Sequence, residues 1–407
     1  GQQPRGIFGA DECIRPRKYD PRQGFETCGM TEFAKSFYLL GRITGDPLYA
    51  DRTEDVMLNH FAASQDKELK GLHYLTASNV VQQDSSDVHD HFNKCQQLSY
   101  SPHEVYRCCQ HNVAMGWPWF VDNLWQASPD NGLVAWMYGA SNVTAMVGDG
   151  EEVTITEETN YPFGGAVKLT LAMDEPATFP LYLRVPIWVA DLTVTLNNEE
   201  ILGTDEPFGN GWFLRLEREF RNDDVLEVNF GMDVQVFNWP RNGAVTVDRG
   251  PLSYSVKIDE EWRADEKAEG ASAEWPEWEV FAASDWNYGL VIDEDTEFDI
   301  EEADVLADQP WTTETAPVEI KVPAKKIPEW VMGDDLSIGQ LQISPVTSDQ
   351  PLETITMIPL GCAHLRVSVL PTVDDSPEAR AWDDRRVTKP KIKQKDDGEK
   401  TGPDDVS

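Results

Sequence analysis

The sequence predicts a mixed α and β multidomain protein, with a helical N-terminal region followed by two β-sandwich domains. At 407 residues the chain is too long for one ordinary hydrophobic core, and roughly two or three domains are expected. Apolar residues recur at helical spacing within residues 23–126, whereas from about Asp130 short segments alternate apolar and polar residues. We therefore expect helices first and sheets afterwards.

Three helices are predicted in the N-terminal region. In the first, FETCGMTEFAKSFYLLGRITGD, the apolar residues follow helical spacing and Gly45-Asp46-Pro47 ends the run. The second is PLYADRTEDVMLNHFAAS. After an irregular stretch, SPHEVYRCCQHNVAMGWPWFVDNLWQAS predicts a turn that leads into a third helix, which Pro118 is expected to bend. Three helices do not close a domain by themselves.

Two sets of short apolar-polar segments, separated by Gly, Asn, Asp and Pro, predict two sandwiches. The first set is VTITEET, AVKLTLAM, FPLYLRVPIW, LTVTLNN, GWFLRLEREF and DVLEVNF. The second set is GAVTVDRGPLSYSVKI, EVFAAS, APVEIKVPAKKI and TITMIPLGCAHLRVSVL. Within it, the insert DEEWRADEKAEGASAEWPEWE is expected to form an exposed loop. The end of the chain is dense in charge and Pro and is expected to be disordered. The predicted domains are residues 1–128, 129–235 and 236–370, with a tail at 371–407.

The formal net charge of −38 argues against a nucleic-acid partner, because such a surface repels phosphate backbones. A surface of this kind suits a salt-rich medium in which repulsion is screened, so a halophilic source is a hypothesis. No apolar run approaches the ~20 residues that span a bilayer, and no membrane segment is predicted. The chain begins at Gly1 without a leader pattern, so export cannot be judged and a cytoplasmic location is favoured.

Six cysteines are too sparse for a disulfide scaffold in a chain of this length, so their chemistry is of more interest. Glu26-Thr27-Cys28 stands at the head of one predicted helix, and the pair Cys108-Cys109 precedes another. One carboxylate and three thiols supply the four ligands of tetrahedral zinc if the fold joins the two segments. The alternatives are a helix-start carboxylate at Glu26 and small buried hydrophobes at the cysteines.

The chain resembles the β-L-arabinofuranosidase family (glycoside hydrolase family 127) over about residues 1–370. The resemblance is carried by GIFGADECIRPRKYDPRQGFETCGMTEFAKS, then YRCCQHNVA, FPLYLRVPIW and AVTVDRGPLSYSV, in this order and at comparable spacing. The combination of ETC with CC is its most specific part. The sequence therefore looks like a member of this family.

This resemblance implies a six-hairpin (α/α)6 barrel followed by β-sandwiches, of which residues 1–128 would be the C-terminal portion of the barrel. Much of the barrel that precedes this region in the family is therefore expected to be missing, and incomplete helix faces are expected to expose apolar residues. It also implies Zn²⁺ bound by the residues matching Glu26, Cys28, Cys108 and Cys109. Cys108 would be the nucleophile, and the match to Glu12 would be the acid/base.

The implied chemistry is physically consistent. A free thiol has a pKa of ~8.5, whereas coordination to zinc deprotonates it outright. Retaining glycosidases normally use two carboxyl groups, and here a thiolate would replace the attacking carboxylate. The anomeric configuration would be retained. Against this, Glu12 could instead be simple surface charge.

Substrate contacts are expected from Tyr74, which loosely matches a family tyrosine, and from His111, which could instead cap a helix. His73, His89 and His91 invite a metal interpretation, but we expect the last two to lie in a polar loop. Three tryptophans at near-helical spacing either stack on sugar or belong to the core, namely Trp117, Trp119 and Trp125. The other thiols, Cys13, Cys95 and Cys362, are expected to be buried.

The expected partner is an arabinose-containing oligosaccharide or glycan, with related pentose or deoxy sugars as alternatives and homodimerisation left open. Two other classes of function compete with the glycosidase. One is a carbohydrate-binding or structural protein in which zinc only holds the helices together, and the other is an inactive fragment.

Overall fold

The computed structural model describes residues 3–9, 20–89, 97–102, 107–202, 211–266, 268 and 270–383. Within these ranges the chain forms few helices and many strands, as expected for a mixed α and β protein. The helices lie in the N-terminal region, and most of the strands follow them.

Three α-helices, α1 (Thr27–Thr44), α2 (Leu48–Val56) and α3 (Arg107–Asp122), confirm the three predicted helices. α1 ends where Gly45 adopts a left-handed conformation, with φ 72°, which glycine reaches without steric cost. The Gly45 N–H donates to Gly41 O at 2.7 Å. None of the described helices is both long and apolar enough to cross a membrane.

The second helix continues beyond α2, where its turns first widen and then tighten. A π-helical turn at Met57–Phe61 and a 3₁₀ turn at Ala62–Ser64 follow directly. Gly116 of α3 lies against this π-helical turn, because a Cβ atom at that position would come within 2.5 Å of Phe61 Cζ. The absence of a side chain therefore allows α3 to approach closely.

The expected partial (α/α)6 barrel is not confirmed, because only three α-helices are present among the described residues. Each of two helices also exposes apolar side chains, which agrees with the expectation of incompletely covered helix faces. In α1 these are Leu39, Leu40 and Ile43, and in α3 they are Met115 and Val121.

Four two-residue strands lie in the N-terminal region, namely β1 (Phe25–Glu26), β2 (Leu75–Thr76), β3 (Asn79–Val80) and β4 (Gln82–Gln83). β1 and β2 pair in an antiparallel manner, with Glu26 opposite Leu75. This pairing places the start of α1 beside the chain that follows His73.

The first β region contains two sheets and confirms every strand predicted in it. A four-stranded sheet has the order β13-β10-β6-β5 and a six-stranded sheet has the order β12-β11-β14-β9-β8-β7. Burial alternates along most of these strands, because successive side chains point to opposite faces. The strands are β5 (Trp125–Ala127), β6 (Leu133–Ala135), β7 (Ser141–Val147), β8 (Glu151–Thr159), β9 (Ala166–Met173), β10 (Ala177–Val185), β11 (Leu192–Leu196), β12 (Glu199–Leu202), β13 (Trp212–Phe220) and β14 (Val225–Phe230).

The second β region is built on a seven-stranded sheet of order β15-β16-β17-β24-β22-β20, in which β21 also pairs with β22. Its strands are β15 (Val234–Asn238), β16 (Val245–Arg249), β17 (Leu252–Val256), β20 (Tyr288–Leu290), β21 (Asp299–Glu302), β22 (Val318–Lys326) and β24 (Leu352–Pro359). Smaller pairings use β18 (Glu260–Asp265), β19 (Glu277–Ala282), β23 (Val346–Thr347), β25 (Arg366–Val367) and β26 (Arg380–Ala381). Two of these, β19 with β4 and β25 with β3, join this region to the N-terminal region.

The expectation of an exposed loop at residues 259–279 is wrong for the two ends of the segment and holds for its middle, where the described residues between 266 and 276 are mostly exposed. Its ends form β18 and β19, which pair with each other, and Trp278 exchanges backbone hydrogen bonds with Tyr100 of the N-terminal region. Glu260 is buried as well, with a side chain that is 2% exposed. Because the ends of this acidic segment pair with partners far away in sequence, its composition did not reveal the hairpin.

The predicted disordered tail is also corrected in part. Residues 371–383 are ordered, since β26 pairs in parallel with β23 and Val373 is buried. Val373 N also donates to Leu290 O at 2.8 Å. The rest of the tail, 384–407, lies outside the described residues.

A buried ion network fastens α2 to the first β region. Arg184 of β10 is fully buried and contacts Asp51 at 2.5 Å and Glu54 at 2.6 Å. Its Nε also donates to Trp136 O at 2.6 Å. These buried ion pairs hold α2 in a defined position against β10.

Candidate metal centre and active site

Glu26 and Cys28 are held at the junction between β1 and α1. Glu26 is the extended residue before the helix, with φ −90° and ψ 140°, and Cys28 lies in the first helical turn. Between them, Thr27 N donates to Tyr74 O at 3.0 Å and Thr27 Oγ1 donates to His73 O at 2.7 Å. Both hydrogen bonds hold the backbone between the two ligand candidates against the segment at His73 and Tyr74.

Cys108 and Cys109 lie at the start of α3 as the structure describes it. α3 packs along α1, and Thr31 Oγ1 donates to Asn112 O at 3.4 Å. The beginnings of the two helices therefore meet. Helix N-termini carry unpaired N–H groups and a partial positive charge, which favours anionic groups such as thiolates.

The four side chains form one compact group, which we call the Cys3Glu cluster (Glu26, Cys28, Cys108 and Cys109). Their ligand atoms all lie within 4.8 Å of one another. The Sγ atoms of Cys28 and Cys109 are 3.1 Å apart, and Cys109 Sγ lies 3.9 Å from Glu26 Oε1. Ligands ~2.3 Å from a central ion form a tetrahedron with edges of ~3.8 Å, so this spacing fits a tetrahedral metal ion.

Exposure divides the three thiols of the Cys3Glu cluster. Cys109 is buried and Cys28 is half-buried, whereas Cys108 is exposed. Glu26 is 8% exposed. A molecule that approaches the cluster from solvent therefore meets Cys108 first.

The groups of the Cys3Glu cluster disfavour one another's ionisation. A hydrogen bond with Cys109, together with burial and the Glu26 carboxylate, raises the pKa of the Cys28 thiol. Burial, followed by the neighbouring Cys28, raises the pKa of the Cys108 thiol. Several negative charges can therefore gather here only around a compensating cation, and a coordinated metal ion would provide that charge.

Two family models match the chain and together span more than half of it. Residues 4–122 match the beta-L-arabinofuranosidase GH127 catalytic domain, and residues 132–232 match the GH127 middle domain. The chain belongs to glycoside hydrolase family 127. No curated protein matches it significantly in sequence.

Solved structures of GH127 proteins share the fold. One is a GH127 beta-L-arabinofuranosidase from Geobacillus stearothermophilus, with a TM-score of 0.59, 19% identity, and coverage of 87% of this chain and 50% of that chain. A second, described as a glycoside hydrolase, has a TM-score of 0.61, 19% identity and coverage of 87% and 53%. A third, a GH127 beta-arabinofuranosidase, has a TM-score of 0.61, 18% identity and coverage of 89% and 51%. The chain spans about half the length of these relatives.

The residues expected to contact substrate both lie near the Cys3Glu cluster of this GH127 chain. Tyr74 is buried, and its carbonyl accepts the Thr27 N–H beside Glu26. His111 is exposed on α3, three residues after Cys108, and so projects from the same side of the helix. Their roles in substrate binding stay predictions.

Several predicted positions cannot be placed in this GH127 chain. Glu12, expected as the acid/base, lies outside the described residues, as do Cys13, His91 and Cys95. The expected burial of Cys362 is confirmed.

His89 lies in a loop, as predicted, but its side chain is completely buried rather than solvated. Its Nε2 is 2.6 Å from Asp84 Oδ1. The structure thus places the His89 ring against the Asp84 carboxylate, and His89 is not part of the group of metal-ligand candidates.

The three tryptophans pack partly buried against the core of the GH127 chain. The Trp117 ring lies 5.2 Å from Phe61, and the Trp119 ring lies edge-on to Tyr38 at 5.1 Å. Trp125 Nε1 donates to a serine hydroxyl at 3.1 Å. These contacts favour the core alternative over a stacking platform for sugar.

Sequence reasoning missed a set of charged residues that the second β region buries next to the N-terminal region. Glu260 and His364 form a pair, with Nδ1 3.2 Å from Oε2, and Arg366 is fully buried two residues later. The available signal was the presence of His and Arg inside the otherwise apolar strand segment AHLRVSVL.

Proposed function

We propose that this chain contributes the active site of a zinc-dependent retaining glycoside hydrolase that releases terminal β-L-arabinofuranose or a related sugar from glycans. Membership of GH127 supports glycoside hydrolysis as the reaction class. One of the solved relatives is a β-L-arabinofuranosidase and another a β-arabinofuranosidase, which favours arabinofuranose as the sugar. The single observation that carries the proposal is the Cys3Glu cluster.

Zinc is the metal that best suits the Cys3Glu cluster. Zinc binds soft thiolate sulfur and also accepts carboxylate oxygen, and three cysteines with one glutamate supply the four donors of a tetrahedron. Bound there, zinc would keep the coordinated thiols deprotonated and so overcome the raised pKa values of Cys28 and Cys108.

Cys108 is proposed as the nucleophile because it is the exposed thiol of the cluster. Its Sγ would attack the anomeric carbon of the sugar, forming a C–S bond while the glycosidic C–O bond breaks. Cys28, Cys109 and Glu26 would hold the metal and keep Cys108 oriented at the start of α3. Their lower exposure fits a holding role.

Glu12 is proposed as the acid/base. Its carboxyl proton would pass to the oxygen of the leaving alcohol as the C–O bond breaks. Its carboxylate would then take a proton from water, whose oxygen bonds to the anomeric carbon while the C–S bond breaks. Two displacements at one carbon retain the anomeric configuration. Tyr74 and His111, which flank the cluster, would contact the sugar.

The finer architecture also belongs to this proposal. The helices are proposed to be part of an (α/α)6 barrel, and the sheets after them to be two sandwiches divided near residue 235. The catalytic and middle-domain matches, at 4–122 and 132–232, support a boundary near residue 128.

Elemental analysis of protein purified reduced and in high salt tests the metal part of the proposal. About one zinc per wild-type chain is expected, because the cluster supplies one set of four ligands. Cys109→Ala should lower the zinc content sharply. Cys362→Ala is the matched control, since Cys362 is a buried thiol whose Sγ donates to Pro310 O at 3.3 Å.

Hydrolysis of aryl β-L-arabinofuranosides tests the catalytic part. Cys108→Ser should abolish release of the aryl group, and the enzymatic proposal is favoured over a structural zinc site if the variant retains its metal. A folded wild-type protein without zinc would refute the metal centre. Undiminished hydrolysis by Cys108→Ser would refute the assignment of the nucleophile.

A further inference from the structure

A second group of polar side chains is buried where β25 meets the N-terminal region. Arg366, His60 and His73 each have a relative exposure of 0%. Arg366 Nη1, His60 Nδ1 and both ring nitrogens of His73 have no hydrogen-bond partner in the part of the chain that the structure describes. We call these three residues the Arg366 cluster. Unpaired buried polar groups are costly and therefore point to a missing partner.

The guanidinium of Arg366 is anchored along one edge only. Its Nε donates to Ala77 O at 3.2 Å, and its Nη2 donates to Thr76 Oγ1. These two nitrogens share an edge of the planar fork, so Nη1 faces away from both acceptors. The side chain is thereby held in place while its Nη1 donors stay available.

The positive charge of Arg366 lacks a direct counter-ion among the residues that the structure describes. Among the described residues, none of the ion pairs includes Arg366. The charge of Glu260 acts on the pKa of Arg366, but this carboxylate is already engaged: its Oε1 accepts from Thr313 Oγ1 at 2.7 Å and from His364 N at 3.0 Å, and its Oε2 from Trp262 Nε1 at 3.0 Å. A buried charge without a partner strongly destabilises a fold.

The two histidines of the Arg366 cluster can act as neutral donors. Burial, followed by the charge of Arg366, lowers the pKa of both imidazoles well below the usual value. A neutral imidazole retains one N–H donor, and at His60 this donor is Nδ1 in the tautomer whose Nε2 accepts from Ser78 Oγ. The His60 ring is held by Ser78 Oγ at 3.3 Å from its Nε2, and the His73 ring packs on Tyr100 at 4.9 Å.

We propose that the Arg366 cluster binds a small inorganic anion of the size of chloride, which Arg366 Nη1 and the ring N–H groups of His60 and His73 would hold. A monatomic anion is favoured because all three side chains are fully buried, and a small ion needs the fewest further donors in a site closed to solvent. The anion would supply the counter-charge that the described carboxylates do not. It would also join β25 to the N-terminal region, since Arg366 lies opposite Val80 of β3.

Urea unfolding of the full chain in sodium chloride and in sodium gluconate, at equal ionic strength, tests the proposal. Equal ionic strength separates anion binding from screening of the net charge. A chloride concentration ten times its dissociation constant should lower the unfolding equilibrium constant about 11-fold relative to gluconate. Identical unfolding curves in the two salts would overturn the proposal.

Arg366→Met should remove the difference between chloride and gluconate. The matched control is Arg263→Met, which makes the same charge change at an exposed ion pair with Glu261 and should preserve the difference. A difference that survives in Arg366→Met would assign the chloride effect to another part of the chain and refute the site.

Because Arg366→Met also removes the bonds to Thr76 and Ala77, it can prevent folding, and a measurement on the wild-type protein is therefore needed. Crystals grown in sodium bromide should show an anomalous peak within hydrogen-bonding reach of Arg366 Nη1. An ordered water without an anomalous signal at that position would overturn the proposal. Neither readout depends on hydrolytic activity or on zinc.

Discussion

Replacing Glu157 with glutamine is expected to remove a pH-dependent loss of stability from the first β region. Glu157 is 2% exposed, and burial raises the pKa of its carboxyl to about 8. Gly139 N donates to it at 3.0 Å and Ser141 Oγ at 3.2 Å, but no ion pair among the described residues includes it. The folded protein therefore holds this carboxyl protonated at neutral pH.

The sign and size of the effect follow from proton linkage. In the unfolded chain the carboxyl ionises near its ordinary value of 4.5, so between that pH and about 8 the folded state binds one more proton. The free energy of unfolding should fall by ~1.4 kcal/mol per pH unit across this window, for a total of about 4 to 5 kcal/mol. Glu157→Gln is neutral at every pH and should not show this loss.

Urea unfolding of both proteins at pH 5, 6, 7 and 8 measures the difference. The free energy of unfolding of Glu157→Gln, relative to wild type, should increase steadily from pH 5 to pH 8. Glu158→Gln serves as a control, because this neighbouring side chain is exposed and pairs only with Lys168 at 2.9 Å. A pH-independent difference between Glu157→Gln and wild type would refute the reasoning, since Glu157 would then be ionised in both states.

Three further perturbations test the fold around the site. Arg184→Met leaves two buried carboxylates unpaired and should destabilise the protein by ~3 to 5 kcal/mol in urea unfolding, whereas Arg215→Met, in an exposed pair, should change the stability far less. Gly116→Ala should displace α3 and lower the zinc content, since its Cβ would lie 2.5 Å from the Phe61 ring. Gly29→Ala is its control: a Cβ there would have no atom within 4 Å, so this variant should retain zinc and gain ~0.5 to 1 kcal/mol of helix stability. Raising sodium chloride from 0.1 to 2 M should increase the melting temperature, because the charge of −38 repels itself in low salt; an unchanged melting temperature would contradict the halophilic hypothesis.

The second β region supports the backbone beside the Cys3Glu cluster through strand pairing and a hydrogen bond. β25 pairs with β3, and Arg366 donates to the Ala77 carbonyl just before it. That strand segment continues from β2, which lies opposite β1 and Glu26. Through these strand pairings the second β region supports the segment that holds Glu26 of the Cys3Glu cluster.

The local sequence was sufficient for the elements whose signals are short-range. α1 ends at Gly45 because a left-handed backbone conformation favours glycine. From Glu151 onward, the alternation of apolar and polar residues indicates which face of each strand is buried. The resemblance to GH127 supplied the four ligand candidates, and the structure brings all four together. It could not establish which metal they bind, since ligand type alone does not select one ion.

Only the tertiary structure decided which distant segments meet. Cys28 and Cys109 lie 81 positions apart, and they approach to 3.1 Å because α1 and α3 pack side by side. The hairpin of β18 and β19 and the burial of Arg366 also depend on partners far along the chain. Sequence patterns with periods of 2 and 3.6 residues report the face that an element buries, but they carry no information about the segment that covers it.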